Sequence, residues 1–286
     1  MYNLLILGSN GMAGHVITDH FEKKSDEYQV DNISHSRKLN ERSYQFDLTN
    51  IELFDDFLKR KKYDYIINCV GVLNNNAEQD KEKAILLNSY LPRFLEKRFK
   101  DSTTKIIHLS TDCVFSGEKG GYTEKSFRDG DSFYDRTKIL GELDNDKDLT
   151  IRTSIIGPDI NKDGIGLFNW FMQSKGIVNG YSGAYWSGIT TIELAQAIEK
   201  IINSQNISGL YHLVAREKIN KYDLLSLIKE IFKREDINIK PNNDVLIDKS
   251  LVNTRVDFEY TVKSYPAMIE EMREWILNHK DRYDHY

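Results

Sequence analysis

Apolar and polar positions alternate along the first 156 residues in two rhythms. Short apolar runs, of the kind buried on both faces of a parallel sheet, fall at Leu4-Leu5-Ile6-Leu7, 28–33, 64–70, 105–110 and 149–155. Longer stretches with helical spacing lie between them, one running to about Lys24 and others at 51–62 and 78–100. Strand and helix in regular turn predict an α/β fold built on a doubly wound parallel sheet. After residue 156 the rhythm loosens. The segment 157–190 intersperses Gly157, Gly164, Gly166, Gly176, Gly180, Gly183 and Gly188 with aromatic residues. A helix at about 191–203 and a strand over Leu210–Val214 return to the sheet, and helical patterns at 221–234 and 265–279 close the chain. The expected division is a sheet domain of 1–156 plus about 187–216. A smaller C-terminal substrate-binding lobe, about 157–186 plus 217–286, folds over the sheet's carboxyl edge, where such folds bind ligands.

Composition narrows the function. The 286 residues are 40% hydrophobic and 29% charged, the profile of a soluble globular protein and not of a disordered one. Two cysteines, Cys69 and Cys113, exclude a disulfide framework or a cysteine-rich zinc site and suit a reducing, cytoplasmic address. The seven histidines show no metal-ligand spacing, so no metal is expected. With 39 basic and 44 acidic residues the net charge is −5, and no basic stripe marks a nucleic-acid binder. A small anionic ligand held by backbone amides and a few cations stays open. No apolar run approaches the ~18 residues of a membrane span, and the N-terminal run is too short for a signal peptide.

Gly8, Gly11 and Gly14 form G-x-x-G-x-x-G directly between the first strand and helix, with Asn10 and Met12 among them. Glycine is needed where the chain turns sharply and its backbone approaches a pyrophosphate at a helix N-terminus. An NAD site would place an acid after the second strand, ~20 residues past the glycines. Here that strand ends in Ser34-His35-Ser36-Arg37-Lys38, while Asp31 lies near its start. A hydroxyl at Ser36 beside Arg37 suits a 2′-phosphate, which favours NADPH over NADH; a solvated basic turn is the competing reading. Asp47 and Leu48 fall where such folds meet the adenine ring, and an ordinary loop aspartate competes there too.

The sharpest chemical signal is Tyr134-Asp135-Arg136-Thr137-Lys138. Residues i and i+4 share a helical face, so phenol and ammonium can reach one site. A nearby ammonium stabilises a phenolate and lowers a pKa ordinarily near ~10, which makes proton exchange with a carbonyl practicable. Thr111, at the carboxyl end of the strand carrying Ser110-Thr111-Asp112, adds a hydroxyl for the same oxygen.

Together with Asn68-Cys69-Val70-Gly71 and Gly209-Leu210-Tyr211-His212-Leu213-Val214-Ala215, these motifs resemble the extended short-chain dehydrogenase/reductases. The order of Leu109 to Gly117, Tyr122-Thr123-Glu124 and Tyr134 to Glu142 is similar to the dTDP-4-dehydrorhamnose reductase branch. The resemblance implies a Rossmann-type NADP-binding domain and a nucleotide-sugar substrate, with hydride passing between nicotinamide and a 4-keto-6-deoxysugar. On this pattern Tyr134 protonates the oxygen, and Lys138 tunes Tyr134 and binds the nicotinamide ribose. Thr111 orients the carbonyl, with Ser110 as the fallback hydroxyl. Cys69 and Gly71 flank the cofactor, and Asn88 supports the active-site hydrogen bonds. Homodimerisation through the Tyr134–Lys138 helix and its neighbour is a further family expectation.

Departures concentrate near the sugar. Tyr-Asp-Arg-Thr-Lys replaces the family's Tyr-Gly-x-Ser-Lys, Asp129-Gly130-Asp131-Ser132 replaces a proline-rich stretch, and Cys113 and Ile155 replace residues that are often aromatic. The sugar, its stereochemistry and the nucleotide are left open. Cys113 stands where the related GDP-fucose synthases carry an epimerising cysteine, but no histidine in 157–190 offers the partner acid. Trp170 and Trp186 are candidates to stack on a base, and Lys249 and Arg255 to hold a sugar diphosphate; packing and solvated-surface readings compete with both. A second function class stays in view, because the beta subunit of methionine adenosyltransferase shares this fold and binds NADP as a regulatory subunit.

Overall fold

The computed structural model describes residues 1–204 and 207–286. Seven strands form one parallel sheet: β1 (Tyr2–Leu7), β2 (Tyr28–Ser34), β3 (Ser43–Gln45), β4 (Tyr65–Asn68), β5 (Lys105–Thr111), β6 (Leu149–Thr153) and β7 (Gly209–His212). Their order is β7-β6-β5-β4-β1-β2-β3. The chain reverses direction across the sheet between β1 and β4, so a crevice opens beyond the carboxyl ends of those two strands. β1 shows why a short apolar run suffices. Leu4 and Ile6 enter the core on one face and Leu5 and Leu7 the core on the other, as a period of two requires.

Helices α1 (Met12–Glu22), α2 (Ile51–Lys59), α3 (Leu91–Arg98), α4 (Phe133–Gly141) and α5 (Thr191–Ser204) cover the faces. Val16, Ile17 and Phe21 of α1 join Ile198 and Ile202 of α5 on one side. Phe54 and Leu58 of α2 join Leu91 and Leu95 of α3 on the other. The helical stretch expected at 78–100 divides into Asn74–Gln79, Lys81–Ala84, a π-helical turn over Ile85–Tyr90, and α3. β3, too short to show a period, was not expected. The glycine-rich segment after residue 156 contains a helix at Leu167–Gln173 and a strand at Gly176–Tyr181 that pairs with Ile237–Asn242. Ala184–Trp186 pairs with Ile219–Asn220 and Ile247–Asp248.

Helix α6 (Lys221–Phe232) packs on these lobe strands, and α7 (Tyr265–Asn278) packs on both α6 and α5. One hydrophobic cluster therefore runs from Leu4 and Ile6 into Leu224, Ile228, Met268 and Met272. The C-terminal residues dock on α1 and not over the sheet edge: Tyr283 Oη lies 2.7 Å from His15 Nε2, and Arg282 pairs with Asp19. No helix among the described residues is long and apolar enough to cross a membrane.

Candidate active site and dinucleotide groove

The glycine turn has the geometry its spacing implied. Gly8 has φ +82°, a left-handed conformation that side chains resist, and a β-carbon there would also press on the Cys69 and Val70 backbone at 3.3 Å. A β-carbon on Gly14 would lie 2.1 Å from the Gly8 carbonyl oxygen, so α1 meets the turn only because position 14 is glycine. Gly11 caps α1 without a side-chain bond, which leaves the first amides of the helix for a ligand.

A groove of about 660 Å³ opens beyond this turn. Gly8, Asn10, Gly11, Ser36, Asp47, Leu48, Cys69 and Gly71 line it. Ser9 Oγ is buried with no partner among the described residues and offers a hydroxyl donor to an anion, while the likewise buried Asn10 Oδ1 can only accept. These features fit a dinucleotide. Gly14 lies behind the turn in α1, and the Met12 sulfur lies against Gly166, where a β-carbon would sit 3.2 Å from it. Arg37 stands at the rim, donating from Nη2 to the Ile160 carbonyl at 3.3 Å, while its own carbonyl accepts from Asn10. Asp47 accepts the Thr49 amide at 2.9 Å. The opposite wall is Asp159, Asn161, Asp163, Gly164 and Ile165, which sequence reasoning had placed in the sugar lobe without a cofactor role. Glycines 157 and 164 marked a loop there, but nothing local revealed that it folds back over the groove.

Thr111 ends β5, and α4 carries Tyr134 and Lys138 beside it. Ser132 and Asp135 form a capping box that starts α4 just before the tyrosine. Tyr134 and Lys138 are 7% and 4% exposed. The Thr111 hydroxyl faces Tyr134, receives the Cys113 amide at 3.1 Å and donates to Asp112 Oδ1 at 3.1 Å. Lys138 Nζ donates to the Leu109 carbonyl at 2.7 Å and lies 3.5 Å from His108 Nε2. Asn88, in the π-helical turn, ties the loop after β4 to α4. It accepts the Val72 amide at 2.8 Å and donates to the Val72 carbonyl at 2.9 Å and to Thr137 Oγ1 at 3.0 Å. Gly141 permits this approach, since a β-carbon there would sit 2.0 Å from the Asn88 carbonyl oxygen.

The electrostatics correct one expectation. Burial pushes the Tyr134 phenol above the ordinary tyrosine range, and the Thr111 hydroxyl beside it offsets only part of that rise. Burial lowers Lys138 to about 8, against weaker support for its charge from Glu142 and Cys69. The dominant influence on the phenol is desolvation, and not its lysine.

The remaining candidates separate. Ser110 points away from Thr111 by strand alternation, and its hydroxyl donates to Glu142 Oε1 at 2.8 Å. There it joins a buried network in which Arg152 grips both Glu142 oxygens at 2.6 and 2.7 Å and Arg128 adds a third contact at 2.9 Å. Burial and then Asp112 push the Cys113 thiol up to about 12, opposite to what carbon-acid abstraction needs. Trp186 is 4% exposed, sealed by Tyr265 and by Lys221, whose Nζ lies 4.8 Å from the ring centroid. It is a packing residue and offers no open stacking face. Trp170 is 47% exposed on the Leu167–Gln173 helix. Arg255 is bound to Asp257 and to the Leu210 carbonyl at the amino start of β7, the opposite end of the sheet from Thr111. Lys249 is half-buried, with its charge acting on Asp112 and Cys113. Lys221, which the sequence pattern left inside an amphipathic helix, acts on the same two groups.

Comparison with known proteins agrees with this architecture. The family model described as RmlD substrate binding domain matches residues 2–245. Methionine adenosyltransferase 2 subunit beta from Xenopus tropicalis is 23% identical over 255 residues, 84% of this chain and 75% of that protein. The dTDP-4-dehydrorhamnose reductase of Salmonella typhimurium is 25% identical over 248 residues, 83% of this chain and 80% of that one. The crystal structure of dTDP-4-dehydrorhamnose reductase from Bacillus anthracis, in complex with NADP, superposes with a TM-score of 0.81 at 19% identity, covering 96% of this chain and 99% of that one.

Proposed function

The chain belongs to the RmlD substrate binding domain family of extended short-chain dehydrogenase/reductases, and from this premise we propose that it is an NADPH-dependent reductase of a nucleotide-linked 4-keto-6-deoxyhexose. The observation that carries the reading is the Thr111–Tyr134–Lys138 set standing beside a glycine-turn groove. The nicotinamide dinucleotide, when bound, supplies the hydride. Amides of the Gly8–Gly11 turn would hold its pyrophosphate, Ser36 and Arg37 its 2′-phosphate, and Asp47 and Leu48 its adenine. Cys69, Gly71 and Lys138 would border the nicotinamide ribose. Thr111 orients the ketone oxygen, and Tyr134 delivers the proton to that oxygen as it gains charge. Lys249 and Lys221 would face the sugar nucleotide. A cytoplasmic homodimer serving surface-polysaccharide synthesis completes the reading.

Incubation with NADPH and dTDP-, UDP-, GDP- or CDP-linked 4-keto-6-deoxyhexoses tests it, with cofactor oxidation followed at each nucleotide. Tyr134→Phe should lose about 10²–10⁴-fold in rate while cofactor binding persists. Retained turnover in that variant rules out the assigned acid. The similarity to methionine adenosyltransferase 2 subunit beta supports a second reading, a non-catalytic regulatory subunit. Co-purification with a larger synthetase, together with no ketosugar reduction, would select it. An epimerase-reductase using Cys113 is the weaker variant, for the thiol is held protonated.

A further inference from the structure

We propose that His108 is a positioning residue for Lys138: Asn68 fixes its Nε2–H tautomer, whose N–H faces the lysine nitrogen and favours the free amine over the ammonium. His108 lies within β5 and is fully buried. Asn68 Oδ1 accepts the Val70 amide at 3.1 Å, and this sets the orientation of the carboxamide. Turning the amide over would oppose two N–H groups at Val70. The Asn68 NH₂ group therefore faces His108 Nδ1, 3.1 Å away, and that nitrogen must accept. A neutral imidazole carries one proton, which leaves it on Nε2.

Burial, and then the charge of Lys138, hold the ring neutral, well below the ordinary histidine value. Nε2–H then points at Lys138 Nζ across 3.5 Å. A free amine satisfies both neighbours, donating to the Leu109 carbonyl and offering its lone pair to His108. An ammonium keeps only the first bond and meets an N–H dipole head-on. The other groups acting here are Glu142 just after α4 and Cys69 after β4, which favour the charged lysine, and Arg93 of α3, which opposes protonation of His108. His108 thus sets the pH at which the ammonium beside Tyr134 is lost.

The kinetic arm of the test rests on the reductase reading, and the spectroscopic arm does not. In protein labelled with ¹⁵N-histidine, two-bond ¹H–¹⁵N correlation reads each tautomer directly, and the signal that vanishes in His108→Gln assigns residue 108. A neutral Nε2–H ring is expected, and an Nδ1–H ring overturns the proposal. His108→Gln can turn a carbonyl toward Lys138. Asn68→Asp accepts from Nδ1–H and makes Nε2 an acceptor. Both variants should move the alkaline limb of kcat for NADPH oxidation upward by about one pH unit, tenfold in proton concentration. An unmoved limb in both overturns it as well. If no ketosugar is reduced at any pH, the reductase reading fails while the tautomer still decides the role of His108.

Discussion

Tyr134 and Lys138 are four residues apart on one helix, yet burial pulls their proton affinities in opposite directions. The lysine sets the visible limit. Its ammonium supports proton delivery below about pH 8 and is lost as pH rises through that value, so kcat for reduction should fall on the alkaline side of pH 8. A pH–rate profile at saturating NADPH checks this. Cys113→Ser tests the thiol at the same scale. Reduction should persist, and neither the parent nor the variant should wash solvent deuterium into the carbon beside the ketone, since a thiol near 12 stays protonated at neutral pH. The Tyr134–Lys138 pair and the glycines were legible in the sequence because their chemistry depends on local spacing. His108 and Lys221 were not. One read as a strand residue and the other as a helix residue, and only the packing of α4 on β5 and the docking of α6 bring them near Lys138 and Asp112.

At the scale of elements, two close approaches decide where the chemistry sits. Gly14→Ala would drive a β-carbon into the Gly8 carbonyl, and Gly141→Ala would drive one into the Asn88 carbonyl. Each should cost about 1–3 kcal/mol of stability as an overpacked contact. Their functional signatures should differ. Gly14→Ala should raise the dissociation constant for NADPH by disturbing the turn, whereas Gly141→Ala should lower kcat by moving α4. Calorimetric binding and steady-state kinetics separate the two. The sequence exposed the first contact through the motif G-x-x-G-x-x-G. The second was hidden, because a glycine at the end of a helix reads as an ordinary stop signal and the π-helical turn opposite has no periodic mark.

Across the whole molecule, a network anchored on the Glu142–Arg152 pair reaches Thr254, which the sequence had assigned to the lobe. Arg152 of β6 also donates to the Glu124 carbonyl, and the Glu124 carboxylate receives the His212 amide and the Thr254 hydroxyl. Burial alone would raise the Glu142 carboxyl, but bonds from Arg152, Arg128 and Ser110 leave it below the ordinary glutamate value. A depressed carboxylate stabilises the fold fully above ~4.3, the unfolded value, and that support is lost as pH falls through the lower folded value. Glu142→Gln leaves Arg152 short of its counter-ion and should cost about 3–5 kcal/mol. Urea midpoints at pH 7 and in acid below ~4.3 should show the gap between parent and variant narrowing as pH falls through the lower folded value. The strand expected over Leu210–Val214 returns to the sheet as β7. The sequence did not show that sheet and lobe residues share one apolar cluster through α5 and α7, which predicts a single unfolding transition.

The π-helical turn over Ile85–Tyr90 also says where this chain can change length by descent. A wide turn takes up one surplus residue inside an otherwise α-helical run, so removing one residue there restores α geometry and leaves Leu91 and Leu95 facing the sheet. What the shorter helix gives up is the wide turn that holds the Asn88 side chain between Val72 and Thr137. A gap of one residue at this point in a related chain would mark a lineage that kept its helix and lost this brace behind the tyrosine helix.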